Sequence, residues 1–172
     1  MKVGYVVNAI FIFGLAAAAV SGCQTDVMPA NVSTPGPAVS AAELAMEEST
    51  LSMVNVERRK AGVTPLVMRD DLRDVARAHS QDMAARDFHA HTNPDGDTPW
   101  DRIRSAGIAH SSSAENIAWN NHPKAANVAL NDWMKSPGHR NNILSAGYTH
   151  TGMGIAPDGA SGYYFTQVFI SE

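Results

Sequence analysis

Cys23 is the only cysteine among the 172 residues, so no intrachain disulfide is available and the fold has to rest on a hydrophobic core. Apolar residues make up 44% of the chain and charged residues 17%, which suits one water-soluble domain with appendages. The place of that cysteine matters as much as its solitude. It follows Ile10 to Val20, an uncharged apolar run preceded by Lys2. Such a run is short for a membrane span and right for the core of a signal peptide.

The junction Val20-Ser21-Gly22-Cys23 resembles the bacterial lipobox, where small residues precede a cysteine that is acylated before cleavage. Residues 1–22 are therefore expected to be a lipoprotein signal peptide, with a lipid on Cys23 as the membrane partner. A plain signal peptide or an uncleaved anchor would leave the cysteine incidental. Gln24, not Asp, follows the cysteine, which in a two-membrane cell favours the outer membrane. Residues 23–39 then carry Pro29, Pro35, Gly36, Pro37, Ser33 and Thr34 with few large apolar groups, and read as a flexible tether. Fully extended it would reach about 50 Å. Formal net charge is −4, and loss of Lys2 with the signal makes it −5. A mildly acidic protein lacks the cationic surface that attracts phosphate backbones, which argues against nucleic acid as a partner.

The folded domain is expected over residues 40–172. Ser40 and Glu43 form a capping box for a first helix bearing Leu44, Glu48, Leu51, Val54 and Arg58 on one side and stopping at Gly62. The cluster Glu57 to Lys60 reads as a solvated helix end whose cations favour the C-terminal dipole. Asp70 is placed to cap a second helix with the inner face Leu72, Val75, Ala76, His79 and Met83. Thr98-Pro99-Trp100-Asp101 opens a short helix ending at Gly107, Pro123 starts another, and Ser136-Pro137 opens one more. The last thirty residues switch to period two. Thr151 to Ala156 and Tyr163 to Ile170 read as strands of a hairpin with apolar groups on both faces, hence a sheet covered on both sides.

Several clusters in this frame share one resemblance. They are Asn55-x-x-Arg58-x-x-x-Gly62, Ala78-His79-Ser80-x-Asp82-Met83, Phe88-x-x-His91-x-x-x-Asp95-Gly96, Ala114-Glu115-Asn116-Ile117-Ala118, Ser136-Pro137-Gly138-His139-Arg140-x-Asn142, and Gly152-x-Gly154 followed by Gln167-x-Phe169. In this order they resemble the bacterial branch of the CAP superfamily: cysteine-rich secretory proteins, antigen 5 and pathogenesis-related proteins, also called the SCP domain. The resemblance covers about residues 43–172. It implies an α+β fold, a three-layer α-β-α sandwich with a small, mostly antiparallel sheet and a central cleft. Many members line that cleft with two histidines and two acids. Here His91, Glu115 and His139 match three of the four positions; Lys135 and Ser136 stand where the second acid is expected.

His91, Glu115 and His139 are thus the candidate catalytic and metal-binding residues, with His79, Asn116 and Ser136 expected around them. Two imidazoles and a carboxylate suit Zn2+, with nitrogens at about 2.0 Å and an open fourth position. The same histidines could instead hydrogen-bond across loops, and Glu115 could cap the loop that carries it. Ser136 and His139 invite a nucleophile reading, but a serine before Pro137 is placed to cap a helix. Trp100 and Trp133 sit where packing explains them. The expected protein is an envelope-tethered module binding a lipid, a sterol-like molecule, or a glycan or peptide fragment. A metal-assisted peptidase or peptidoglycan-directed hydrolase, and a scaffold without chemistry, are the alternatives.

Overall fold

A computed structural model describes residues 38–172; the signal, Cys23 and most of the expected tether lie outside the described residues. Helix α1 (Ala41–Lys60) starts at the expected capping box: Glu43 N–H donates to Ser40 Oγ and Ser40 N–H donates to the Glu43 carboxylate. It ends at Gly62, which takes a positive φ of 73°. Its buried face is Glu47, Thr50, Leu51, Val54 and Arg58; Leu44 and Glu48, which the sequence groups on one side with the last three, are exposed. Strand β1 (Val67–Met68) is followed by α2 (Asp70–Arg86), whose N-cap is Arg69 rather than Asp70 and has no side-chain cap. Its inner face is buried as expected, Leu72, Val75, Ala76, His79 and Met83 all turning inward.

Helix α3 (Pro99–Ser105) carries its expected capping box, Thr98 with Asp101. Helix α4 (Ala125–Lys135) begins two residues after Pro123, and α5 (Pro137–Leu144) has the expected N1 proline. Strands β3 (His150–Pro157) and β4 (Tyr163–Ser171) form the expected hairpin. Two strands were not expected, β1 and the one that carries the Ala-Glu-Asn motif. β2 (Ser112–Asn120) contains the Ala-Glu-Asn motif and pairs antiparallel with β4, so Glu115 lies on a strand and not in a loop. The sheet order is β1-β3-β4-β2, with β1 parallel to β3 and the other pairs antiparallel.

The alternation of β3 and β4 decides what covers each face. Met153, Ile155, Phe165 and Phe169 pack with Leu51, Val54, Ala129, Leu130, Trp133 and Ile143 from α1, α4 and α5. Val168 and Ile170 pack with Leu72, Val75 and Ala76 of α2 and Ile103 of α3. This is the expected α-β-α sandwich. Helix α2 lies so close to the sheet that a Cβ on Gly154 would fall 2.1 Å from Arg77 N, and one on Gly152 2.1 Å from the Leu72 carbonyl. Only glycine permits that approach.

Side chains close the sheet's two margins. Strand β1 shields only the first two residues of β3, and beyond it the buried carboxylate of Glu47 (α1) receives Arg77 (α2) at 2.8 and 2.6 Å. At the other margin, outward carbonyls of β2 are taken by side chains. Trp133 Nε1–H donates to Ile117 O at 2.9 Å and Asn142 Nδ2–H to Glu115 O at 3.4 Å. An edge strand satisfied by side chains offers little template for another strand.

Candidate functional site

Residues 113, 115, 117 and 119 of β2 share the face covered by α2, as their partners on β4 show. Glu115 is at the middle of that row and its side chain is 1% exposed. A carboxylate this deep needs compensating donors. It has two. His91 Nδ1 lies 2.9 Å from Oε1, and Arg102 Nη2–H donates to Oε2 at 2.8 Å. Arg102, on α3, also donates to the carbonyls of Asp97 and His91, at 2.9 and 3.0 Å, so one guanidinium ties the loop before α3 to the strand. Because its Nδ1 faces the carboxylate, the His91 ring presents Nε2 on the other side, and this side chain is 48% exposed.

His79 reaches the same carboxylate from α2 but stops short, with Nε2 3.8 Å from Glu115 Oε1. Nε2 is instead 3.0 Å from the Ala90 carbonyl. That contact requires Nε2–H, so Nδ1 is the bare nitrogen, and it is buried with no hydrogen-bond partner among the described residues. Burial pushes the His79 imidazole below its ordinary value, opposed by the neighbouring Glu115. His139, on α5, is half-buried, and its pKa is lowered first by burial and then by His91 and His89. It therefore lies within electrostatic range of both. It makes no ion pair with Glu115.

The expected supporting residues divide. Asn116 points to the opposite face, where its amide donates to the His139 carbonyl at 3.1 Å and its oxygen accepts from Asn142 at 2.9 Å, fixing α5 against the sheet. Ser136 is the N-cap of α5 by position, yet its hydroxyl accepts no capping bond, contrary to expectation. Arg102 was missed and had no sequence signal; His89, left out of the expected site despite its His-x-His spacing to His91, has its pKa lowered by burial and then by His91.

Zinc does not fit this arrangement. Both oxygens of Glu115 are engaged, and a metal at Oε2 would face the Arg102 guanidinium. Among the described residues no group of three or more His, Cys, Asp or Glu side chains is disposed to hold a metal ion, so the expected three-ligand set His91, Glu115, His139 is not assembled. What remains is a buried carboxylate balanced by a guanidinium, with imidazoles towards the surface. An open cavity of about 610 Å³ adjoins it, lined by His91, Thr98, Trp100, Ser113, Glu115 and Asn142 among others.

The imidazoles also set a pH dependence. His79, His89 and His139 titrate lower in the folded state than in the unfolded chain, where the value is about 6.5. Below that value the unfolded chain binds more protons, so stability falls as pH drops and is regained as it rises. Urea midpoints should decline from about pH 7.5 to about pH 5.5, and His79→Gln should flatten the decline. An unchanged slope in that variant would remove His79 as its source.

The profile of the cysteine-rich secretory protein (CAP) family matches residues 51–169. Uncharacterized protein YkwD of Bacillus subtilis is 38% identical over 128 residues, covering 74% of this chain and 48% of the relative. Uncharacterized membrane protein YlbC of the same organism is 32% identical over 126 residues, 73% of this chain and 34% of the relative. The chain thus spans about half or less of these relatives' length. An extracellular SCP-domain protein from Bacillus anthracis superposes with a TM-score of 0.69 at 26% identity, over 80% of this chain and 45% of that one. An outer surface protein of Borrelia burgdorferi also gives 0.69, at 20% identity, over 74% of this chain and 93% of that one, a likeness of fold. With its single cysteine and disulfide-free core, this chain belongs to the CAP (cysteine-rich secretory protein) family.

Proposed function

We propose that this chain is an exported CAP-domain binding protein, held to the cell envelope through a lipid on Cys23, whose cleft around His91, Glu115 and His139 takes a small envelope ligand. One observation carries the reading: the buried charge of Glu115 is already balanced by Arg102 and His91. A ligand entering the open side therefore meets imidazole nitrogens and hydroxyls rather than an unbalanced charge. That surface suits a neutral, hydrogen-bonding molecule. Export is supported by the apolar run Ile10 to Val20 ahead of Cys23 and by the extracellular description of the Bacillus anthracis neighbour.

Native mass spectrometry of the protein gently extracted from its host membrane should show a bound mass that disappears in the double variant His91→Ala, His139→Ala. A clean unliganded mass in the parent protein would overturn the binding reading. Cys23→Ala should release the protein from the membrane fraction.

A second reading has its own support. An imidazole held at Nδ1 by a buried carboxylate, with Nε2 outward, is how a general base is oriented. Metal-free hydrolysis of a muropeptide library that vanishes in His91→Ala would favour this reading over simple binding.

A further inference from the structure

Five large apolar side chains of the described domain are exposed, and two of them are tryptophans, Trp100 and Trp119, each 45% accessible. Leaving an indole in water forgoes one of the largest burial gains any side chain offers. Neither ring is loose. Trp119 Nε1–H donates to Asp158 Oδ2 at 3.1 Å, and that carboxylate is itself fixed by the Ala160 and Gly162 amides at 2.9 Å each. The Trp119 ring also stands 6.5 Å from Tyr164, tilted at 52°. Trp100 follows the N1 proline of α3 and sits edge-on to His110 with centroids 4.2 Å apart. Both indoles are rigid, half-bare platforms.

Trp100 lines the cavity, and Trp119 lies outside its lining on the β2 face that carries Glu115. Trp119 ends the row Ser113, Glu115, Ile117, Trp119 on one face of β2, and Trp100 lines the cavity at the Ser113 end beside His91 and Glu115. Glu115 and Trp119 are four residues apart, about 13 Å along the strand. Between the two ends the surface offers His91, with Nε2 outward, and His89, whose ring lies 6.2 Å from Tyr164. Read from sequence, Trp100 has no role beyond packing. In the fold both indoles stay 45% exposed, so packing uses only part of each ring.

We infer that the cleft binds an oligosaccharide, with Trp100 and Trp119 as stacking platforms at either end and His91 as a hydrogen-bonding group between them. A pyranose ring has a C–H face that packs on the electron-rich face of an indole, and a rim of hydroxyls that both donate and accept. A balanced Glu115–Arg102 pair adds no net charge, which suits an uncharged polyol better than an ionic ligand. The open form of the cavity argues against an acyl chain, which needs an enclosed apolar channel. The glycan assignment rests on the binding reading above and narrows it.

The test is a calorimetric titration of the detergent-solubilised full chain with chitotetraose, a soluble chain of β-linked amino sugars, run beside a muropeptide stem peptide without sugar. Chitotetraose should bind and the stem peptide should not. Trp100→Ala and Trp119→Ala should each weaken binding at least tenfold. Trp119→Phe should lose less, since it keeps a flat ring without the bond to Asp158. Both positions are exposed, and unchanged melting curves would exclude misfolding as the cause. Tryptophan variants that bind as tightly as the parent would overturn the inference. So would failure of chitotetraose to bind while native mass spectrometry still finds a cleft ligand, an outcome that leaves the binding reading standing. An empty cleft in both experiments would overturn the two together.

Discussion

Arg58→Ala should lower stability by about 4 kcal/mol, roughly 12 °C in Tm for a domain of this size. Arg58 is 1% exposed and has no carboxylate partner among the described residues. Its guanidinium is solvated by carbonyls alone. Nε–H donates to Thr64 O at 2.7 Å, Nη1–H to Ile143 O at 2.6 Å and Ser145 O at 2.9 Å, and Nη2–H to Tyr148 O at 3.0 Å. Two of these carbonyls lie at the C-terminal end of α5, where the helix presents its negative pole and its unpaired oxygens. Burial alone pushes the Arg58 pKa down, and these oxygens hold the charge in place. Alanine would leave four carbonyls without donors in a site too closed for bulk water, each costing on the order of 1 kcal/mol or more. Arg58→Lys should recover only part of the loss, because one ammonium cannot follow the fork of the guanidinium. Denaturant unfolding checks both variants; a loss below about 1 kcal/mol for Arg58→Ala would mean the carbonyls find other partners.

Arg58 also shows where sequence reasoning stops. Beside Glu57, Arg59 and Lys60 it looks like one more solvated charge, and nothing within a helical turn says otherwise. Its partners lie up to 90 residues away. Glu47 was hidden in the same way, its partner Arg77 being 30 residues distant. Signals confined to a few residues were legible: the capping boxes at Ser40 and Thr98, the stops at Gly62 and Gly107, and the alternation of Tyr163 to Ile170. Strand β2 was not. Ser, Ala, Glu and Asn are poor strand formers by composition, and the segment is extended because β4 pairs with it along nine residues. The candidate site divides along the same line. The motif resemblance pointed to His91 and Glu115, which the fold brings into contact. Arg102 stayed invisible because an arginine on a short exposed-looking helix declares nothing until the strand beneath it is known.

Glu115→Ala should cost about 3 kcal/mol, roughly 9 °C in Tm, because it strands the Arg102 guanidinium in a site where only 11% of that side chain reaches water. The loss is one of pairing rather than volume, and a double-mutant cycle separates the two. Arg102→Met alone leaves the carboxylate buried with only His91 in hydrogen-bond contact, so it too should destabilise. Combined with Glu115→Ala it removes both charges, and the pair should cost clearly less than the sum of the singles, with a coupling on the order of 2 kcal/mol. The bonds from Arg102 to the Asp97 and His91 carbonyls are lost in both backgrounds and cancel from the cycle. The cycle also bears on the cleft. If Glu115 acts chiefly as the counter-charge that pins Arg102 and aims the His91 ring, then Glu115→Gln, which keeps the shape but removes the charge, should lose much of what Glu115→Ala loses. His91 would lose its fixed orientation in that variant, because an amide can turn either its oxygen or its nitrogen to Nδ1. An independent, additive pair of losses would show that the carboxylate and the guanidinium do not share one buried site.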